Sequence, residues 1–455
     1  MSAGVDAHRA RKARRIPIHR TLPALARDPL RAFEQIGQET GGEVVQLDLG
    51  LHRPYLVSRP EDMQHVLRDR ADNFVRDGML WKPLRRLFGN GLGMDGPDWA
   101  RSRQLMLPVF SARNVATIMD ELTAALSEAI EELDPYARTA EPIDTRVEMT
   151  RIIHRALIRV FIGDGMTTAD ADRLGHAVTS GFTSIGPRLL LPFVPDSVPL
   201  PGDGAFMRAV RLADSIVTPL VRQRQREGAT GGDLVSLLCR ARDENGDPLA
   251  QELIRNDVVA MFAGASETSA VTLTWLWVVL DANPEIAARV YDEVDRVVGD
   301  DKPGPAHVPK LGYTKQVLQE LLRLYPVGWI IPRFARESDA VGGTEIPAGS
   351  TVLASPYLTH RMERYWERPY EFDPERFAPE RAGRRLPSSY VPFGLGAHQC
   401  LGSHFFMVEA QLVVAMMLSR YRVRLRDSAA VVPQAAATLR PRGRVEVVLS
   451  YRSPQ

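Results

Sequence analysis

The stretch Phe393-Gly394-Leu395-Gly396-Ala397-His398-Gln399-Cys400-Leu401-Gly402 decides how the rest of this 455-residue chain is read. Gly394 and Gly396 can take backbone shapes closed to other residues, which predicts a tight bulged turn. From Leu401 onward, Phe405, Phe406, Val408, Leu412, Val413, Met416 and Met417 recur at helical spacing. Cys400 is therefore expected where a helix begins. The unpaired amides and partial positive charge of a helix N-terminus favour thiolate over thiol. A thiolate in a loop of small residues is suited to ligate something large and flat, and Gly402 would let that partner approach the backbone. A buried structural cysteine beside a turn is the alternative this loop alone leaves open.

Composition narrows the function classes. The chain is 44% hydrophobic and 25% charged, an ordinary soluble globular balance. A formal net charge of +1 gives no bulk electrostatic argument for nucleic acid. The two cysteines, Cys239 and Cys400, are far apart, which disfavours zinc sites and disulfide frameworks. The N-terminus lacks the apolar core of a signal peptide. No apolar run reaches the roughly 20 residues that span a bilayer; the candidate at 271–280 is short and carries Thr272 and Thr274. A cytoplasmic protein without a membrane anchor is expected. Residues 1–20, basic at Arg9, Arg11, Lys12, Arg14 and Arg15, read as a flexible solvated tail.

Residues 30–40 read as a short helix closed by Gly41-Gly42, and 43–49 and 55–58 as a pair of strands. Residues 74–98 lack periodicity and suggest a long functional loop. Trp99 and Arg103 open a helix and share one of its faces. Residues 120–133 and 147–161 are clear helices, 186–204 is a Pro- and Gly-rich interruption, and 228–232 is a surface loop. No internal repeat or low-complexity segment is present.

Asp247-Pro248 makes a good helix start and Asn283-Pro284 a good stop. The helix between them would run roughly 50 Å, enough to cross a large domain. Its middle, Ala263-Gly264-Ala265-Ser266-Glu267-Thr268-Ser269, is unusual. Glycine inside a helix costs about 1 kcal/mol relative to alanine, and a Glu-Thr pair in an apolar helix needs partners or water. Gly264 and Thr268 share a face, with Glu267 beside them. Room for a small ligand at Gly264 and proton relay through Thr268 and Glu267 would explain both features. Close packing at Gly264 with Glu267 in a structural salt bridge explains them equally well.

The pattern aromatic-Gly-x-Gly-x-His-x-Cys-x-Gly at 393–402 resembles the haem-ligating loop of the cytochrome P-450 superfamily. Residues 264–268 are similar to the family's distal-helix signature, with Ala265 where glycine is usual. Glu320-Leu321-Leu322-Arg323 resembles its Glu-x-x-Arg, and Phe372-Asp373-Pro374-Glu375-Arg376-Phe377 its meander motif. Trp99-x-x-x-Arg103 matches a further motif, so five occur in the family's order. The resemblance spans about 22–448. It implies a mainly α, cytochrome P-450 fold with a small β lobe near 43–57 and 346–354, as a single domain over 21–455.

The resemblance also implies roles. Cys400 would ligate the iron of heme b (iron protoporphyrin IX), with Phe393 and Gly402 in the ligand loop. Trp99, Arg103, Arg333 and His398 would meet the haem propionates. Glu320, Arg323 and Arg376 would form a buried charge cluster that fixes geometry more than it adds stability. Gly264, Glu267 and Thr268 would serve oxygen binding and protonation. Val259, Ala260, Ala263, Val327, Trp329 and Ile330, with the 74–93 loop, would line an apolar pocket for a small lipophilic substrate. The implied activity inserts one atom of O2 into that substrate, a terpenoid or polyketide of specialised metabolism. Electrons would come from a separate ferredoxin and its NAD(P)H-dependent reductase, because the chain ends soon after the haem domain. Arg101 and Arg113 are candidates for that docking face, though a solvated surface is the simpler reading. A monomer is expected. The competing readings are a haem-thiolate isomerase, dehydratase or peroxygenase, and a non-enzymatic haem-binding protein.

Overall fold

The computed structural model describes residues 10–191, 194–195, 197–383, 385–427 and 431–452. Arg14–Ile16 (β1) opens the described chain, and helices Ile18–Arg27 (α1) and Pro29–Thr40 (α2) follow. Asp28 caps α2 through the Arg31 amide, Pro29 takes its first position, and Gly41 ends it in the left-handed region at φ 58°. Val45–Leu47 (β2) and Tyr55–Val57 (β3) pair antiparallel, as the alternation predicts. The basic stretch expected as a tail is ordered from Arg11 on. Arg14–Ile16 pairs in parallel with β2, and Arg11 bridges Thr344. Residues 1–9 lie outside the described residues.

The β lobe is completed by Phe74–Val75 (β4), Ile331–Ala335 (β5) and Thr351–Ala354 (β6), in the order β1-β2-β3-β6-β5-β4. Its strands come from both ends of the chain, so it fastens the N-terminal segment to the stretch before the cysteine loop.

The helical part contains Pro97–Met106 (α3), Met119–Glu131 (α4), Thr145–Leu157 (α5), Thr168–Ser184 (α6), Asp203–Arg226 (α7), Gln251–Ala282 (α8), Pro284–Val298 (α9), Gly312–Leu324 (α10) and Ser403–Arg420 (α11). Helix α8 is the spine, about 48 Å long at 1.5 Å per residue. It starts three residues later than the Asp247-Pro248 signal. The Asp247 amide and carbonyl are engaged by Asp243 in a turn, and Ala250 precedes the helix. Its stop is where Asn283-Pro284 predicts. Trp275, fully buried on α8, donates to the Leu439 carbonyl at 3.0 Å and stacks on Tyr325 at 4.1 Å.

Helix α10 carries the charge cluster. Glu320 and Arg323 are both completely buried. Arg323 makes a two-pronged pair with Glu320 at 2.7 and 2.8 Å and also donates to the carbonyls of His360, Pro369 and Glu371. Arg376 reaches Glu320 at 3.2 Å and binds the carbonyls of Glu367 and Arg368. All three residues expected in the cluster are therefore assembled, with their remaining hydrogen-bond capacity spent on backbone. His360 extends the network. Its Nδ1 lies 3.1 Å from the Arg323 carbonyl, and its Nε2 accepts from the Val391 amide at 2.9 Å. Burial, then the nearby Arg323 charge, holds its pKa down to about 3, so the ring is neutral with Nδ1 protonated.

Removing one partner of a buried pair strands the other. Arg323→Ala is expected to cost about 3–5 kcal/mol, read as a fall in the urea midpoint; an unchanged midpoint would show the cluster dispensable. Glu409, buried on α11, supplies a pH test. Ser269 bonds its carboxyl, Oε1 has no partner, and burial pushes its pKa from 4.5 up to about 8. The folded chain keeps a proton that the unfolded chain releases above 4.5. Stability from this group is thus complete below that value and is lost as pH rises through about 8. Glu409→Gln should flatten this decline in thermal melts across the window. Parallel wild-type and variant curves would refute it.

Candidate cofactor site

The 393–402 loop is shaped by its glycines. Gly394 and Gly396 adopt φ of 72° and 70°. A Cβ on Gly396 would lie 2.5 Å from the Leu67 carbonyl oxygen and 2.6 Å from Arg68 Cα, so backbone packs directly on backbone there. The Cys400 amide donates to the Phe393 carbonyl at 2.8 Å and closes the turn. Phe393 sits 6.1 Å from the ring of Phe406 on α11. Gly402 precedes α11, and the nearest atom to a Cβ there would be Cys400 Sγ at 4.0 Å.

Helix α11 begins at Ser403, so Cys400 stands ahead of it. The expected thiolate preference from the helix N-terminus is overridden. Burial pushes the thiol up, against the Gly402 amide and the Arg103 charge, which pull it down. Cys400 is nevertheless accessible. An accessible side chain within densely packed protein lines an internal space. A coordinating cation would deprotonate such a thiol outright. Among the described residues no three metal-ligating side chains cluster. A metal held by Cys400 must bring most of its other ligands with it, as a porphyrin does.

A set of cations converges beside this loop. His398 and Trp99 stack at 4.4 Å, and Arg76 lies 5.6 Å over the Trp99 ring. His398 Nε2 bonds Asp95. Arg76 binds Asp95 and the carbonyls of Leu92 and Met94. Arg333 is buried; burial and then repulsion from Arg76 lower its pKa to about 9. Burial lowers Arg76 to about 10. Burial pushes the Asp95 carboxyl up, but His398 and Arg76 prevail and hold it at about 2. Arg103 feels Arg76 as a like charge and Cys400 as a counter-charge. Buried Arg76 Nε, Arg333 Nε and His398 Nδ1 have no protein partner. One carboxylate among these cations leaves donors and charge over. A group carrying two carboxylates matches that surplus, so the donor set fits haem propionates.

Trp99, Arg103, Arg333 and His398 thus come together as expected. Arg76 and Asp95 were not anticipated: they lie in the aperiodic 74–98 stretch and pair across it without a motif. That stretch is tied to α8. Leu92 N donates to Asp257 Oδ1 at 2.8 Å, and a Cβ on Gly91 would fall 2.1 Å from the same oxygen.

On α8, Gly264 is exposed although Met261, Phe262, Ala263 and Ser266 around it are buried. A Cβ at Gly264 would meet nothing within 4 Å. Close packing at Gly264 is therefore not the reason for the glycine; open internal space is. Thr268 Oγ1 donates to the Gly264 carbonyl. Glu267 accepts from Thr438 Oγ1 at 3.1 Å, and among the described residues it joins no ion pair. Val259, Ala260, Ala263 and Val327 belong to one apolar cluster. Trp329 and Ile330 do not join it; they pack with Leu30, Phe33 and Ile36 of α2, and Trp329 donates to the Ala436 carbonyl at 2.8 Å. Between Val327 and Trp329, Gly328 is the open position, with nothing within 4 Å of a Cβ. A glycine inside an apolar run was the signal for it. Arg101 is engaged by Asp98 and Glu244, and Arg113 is exposed.

Known proteins share this arrangement. Residues 11–447 match the family profile described as Cytochrome P450. Cyclooctatin synthase of Streptomyces melanosporofaciens is 34% identical over 408 residues, 88% of this chain and 86% of that protein. Cyclooctat-9-en-7-ol 5-monooxygenase of the same organism is 31% identical, covering 90% and 88%. Pentalenene oxygenase of Streptomyces avermitilis is 29% identical, covering 94% of each. The crystal structure of the cytochrome P450DA heme domain superposes with a TM-score of 0.85 over 98% of this chain and 99% of that one, at 24% identity, which speaks to the fold. The surplus of buried cations around an accessible cysteine, on this fold and with these relatives, has one explanation: the chain belongs to the cytochrome P450 family.

Proposed function

We propose that this protein is a haem-thiolate monooxygenase that inserts one atom of O2 into a terpenoid of specialised metabolism. The observation that carries the reading is the pairing of an accessible, protein-enclosed Cys400 with the open turn at Gly264 and Thr268. Helix α8 and helix α11, which follows Cys400, meet where Ser269 bonds Glu409. Relatives whose names state oxygenation of cyclooctat-9-en-7-ol and pentalenene support the substrate class.

When bound, heme b ligated by a thiolate supplies O2 activation, because the thiolate donates electron density that favours O–O cleavage. The chain's own groups do the rest. Cys400 would ligate its iron from the loop that Gly396 presses onto Leu67 and Arg68. Arg333, Arg103, His398 and Trp99, together with Arg76, would hold its two carboxylates. Gly264 leaves room beside the reacting centre. Thr268, whose hydroxyl is parked on the Gly264 carbonyl, can turn to donate a proton, and Glu267 can resupply it. Val259, Ala260, Ala263 and Val327 exclude water, and Gly328 leaves width for a fused-ring hydrocarbon. Among the described residues no helix is long and apolar enough to cross a membrane. A cytoplasmic monomer served by a separate ferredoxin and its NAD(P)H-dependent reductase completes the reading.

Reduced protein under carbon monoxide should show the strongly red-shifted Soret band of thiolate ligation, and Cys400→Ala should abolish it. Haem-loaded wild type without that band would remove Cys400 as the ligand. Gly328→Phe should weaken the spectral binding of a sesquiterpene or diterpene hydrocarbon by at least about tenfold while leaving the carbon monoxide spectrum unchanged. Equal affinity would place position 328 outside the pocket.

A further inference from the structure

Three helices cross at one buried histidine. His154 on α5 is 3% exposed, with Nε2 2.6 Å from Ser266 Oγ on α8 and Nδ1 2.9 Å from Asp172 Oδ1 on α6. Gly175 of α6 makes the crossing possible: a Cβ there would lie 2.5 Å from His154 Cε1 and 2.8 Å from Nε2. The Phe262 ring closes the site at 5.1 Å. The Asp172 carboxylate can only accept, so Nδ1 carries the proton and Nε2 accepts from the Ser266 hydroxyl. The order Ser-His-Asp is that of a hydrolytic relay, but Ser266 is 5% exposed and no substrate can reach it.

Its place on α8 gives the contact a different meaning. Ser266 is two residues from both Gly264 and Thr268, hence about 200° round the helix from each, behind the open face. That turn is the weak point of α8. Gly264 lowers helix stability, and nothing packs on its open side. Thr268 bonds back to the Gly264 carbonyl, a contact that bends helices. Thr272 and Thr274 likewise donate to carbonyls four residues back. Ser266 instead donates outward, to His154. Thr438 holds Glu267 at one side of the turn; behind it, the Ser266–His154 bond supplies the polar restraint.

We propose that His154, oriented by Asp172, is a positioning residue that pins the 264–268 turn through Ser266 and so sets the geometry of the oxygen-binding groove. The inference rests on the monooxygenase reading of that groove. Its test uses the haem-loaded full chain as wild type, His154→Phe, His154→Gln and Ser266→Ala. His154→Phe keeps the volume without the acceptor. Ser266→Ala removes the donor without touching the ring. Gln can place its amide oxygen where Nε2 accepts. Hydrogen exchange of a peptide spanning 262–270 should quicken about tenfold in the Phe and Ala variants, the worth of one good hydrogen bond, and return to the wild-type rate with Gln. The Fe–CO stretching band of the reduced, carbon-monoxide-bound protein should broaden or split in Phe and Ala, and stay single in wild type and Gln. Unchanged exchange, no rescue by Gln, or faster exchange with an unaltered Fe–CO band would each overturn the proposal. Loss of the thiolate-type carbon monoxide spectrum in wild type would instead overturn the monooxygenase reading, and the exchange comparison would still decide the pin.

Discussion

Glu320 and Arg323 are completely buried and bond each other through two hydrogen bonds, so removing either would strand the other's polar atoms in the core. From this pair the construction of the site follows by hydrogen bonds. Arg323 holds the His360, Pro369 and Glu371 carbonyls, and Arg376 closes the Glu320 side. His360 passes the constraint from the Arg323 carbonyl to the Val391 amide, two residues before the cysteine loop. A loop with three glycines between 394 and 402 has little stiffness of its own. It is placed from outside, by α10 through His360 and by the Leu67 and Arg68 backbone against Gly396.

Beside that loop the electrostatics are unbalanced by design. Arg333 is buried and Arg76 half-buried nearby; Arg76 lowers the affinity of Arg333 for its proton, and Arg103 does the same to Arg76. Asp95 offsets part of this charge while orienting His398. A dianionic partner would relieve the remaining repulsion. Were haem propionates that partner, the stability of the apoprotein and its affinity for haem would be linked.

The central helix shows the same trade between stability and function. A helix crossing the core is most stable when apolar and closely packed all round, as α8 is at Trp275 and the residues beside it. At 264–268 it gives up packing on one face to leave a groove. The polar groups there find partners at long range, Glu267 with Thr438 and Ser266 with His154. Local openness is tolerated because restraint arrives from the opposite side.

Much of this was legible in the residues themselves. The accessible cysteine, the glycine turn, the α8 stop at Asn283-Pro284, the capped α2 and the Glu320, Arg323 and Arg376 set are encoded over a few consecutive positions. Glycine φ, proline's missing donor, side-chain period and motif spacing are local properties, which a linear reading can see. What the tertiary structure decided lies in contacts between segments that carry no shared period. The edge of β2 recruits Arg14–Ile16 out of an expected tail. The Asp243 turn takes Asp247 from its expected cap, and burial overrides the helix N-terminus at Cys400. Arg76 and Asp95 meet His398 from more than 300 positions away. Trp329 and Ile330 turn toward α2 and leave Gly328 open. His154 reaches Ser266 across 112 positions. Such pairings depend on which surfaces the packed helices bring together, and packing is settled by the whole chain at once.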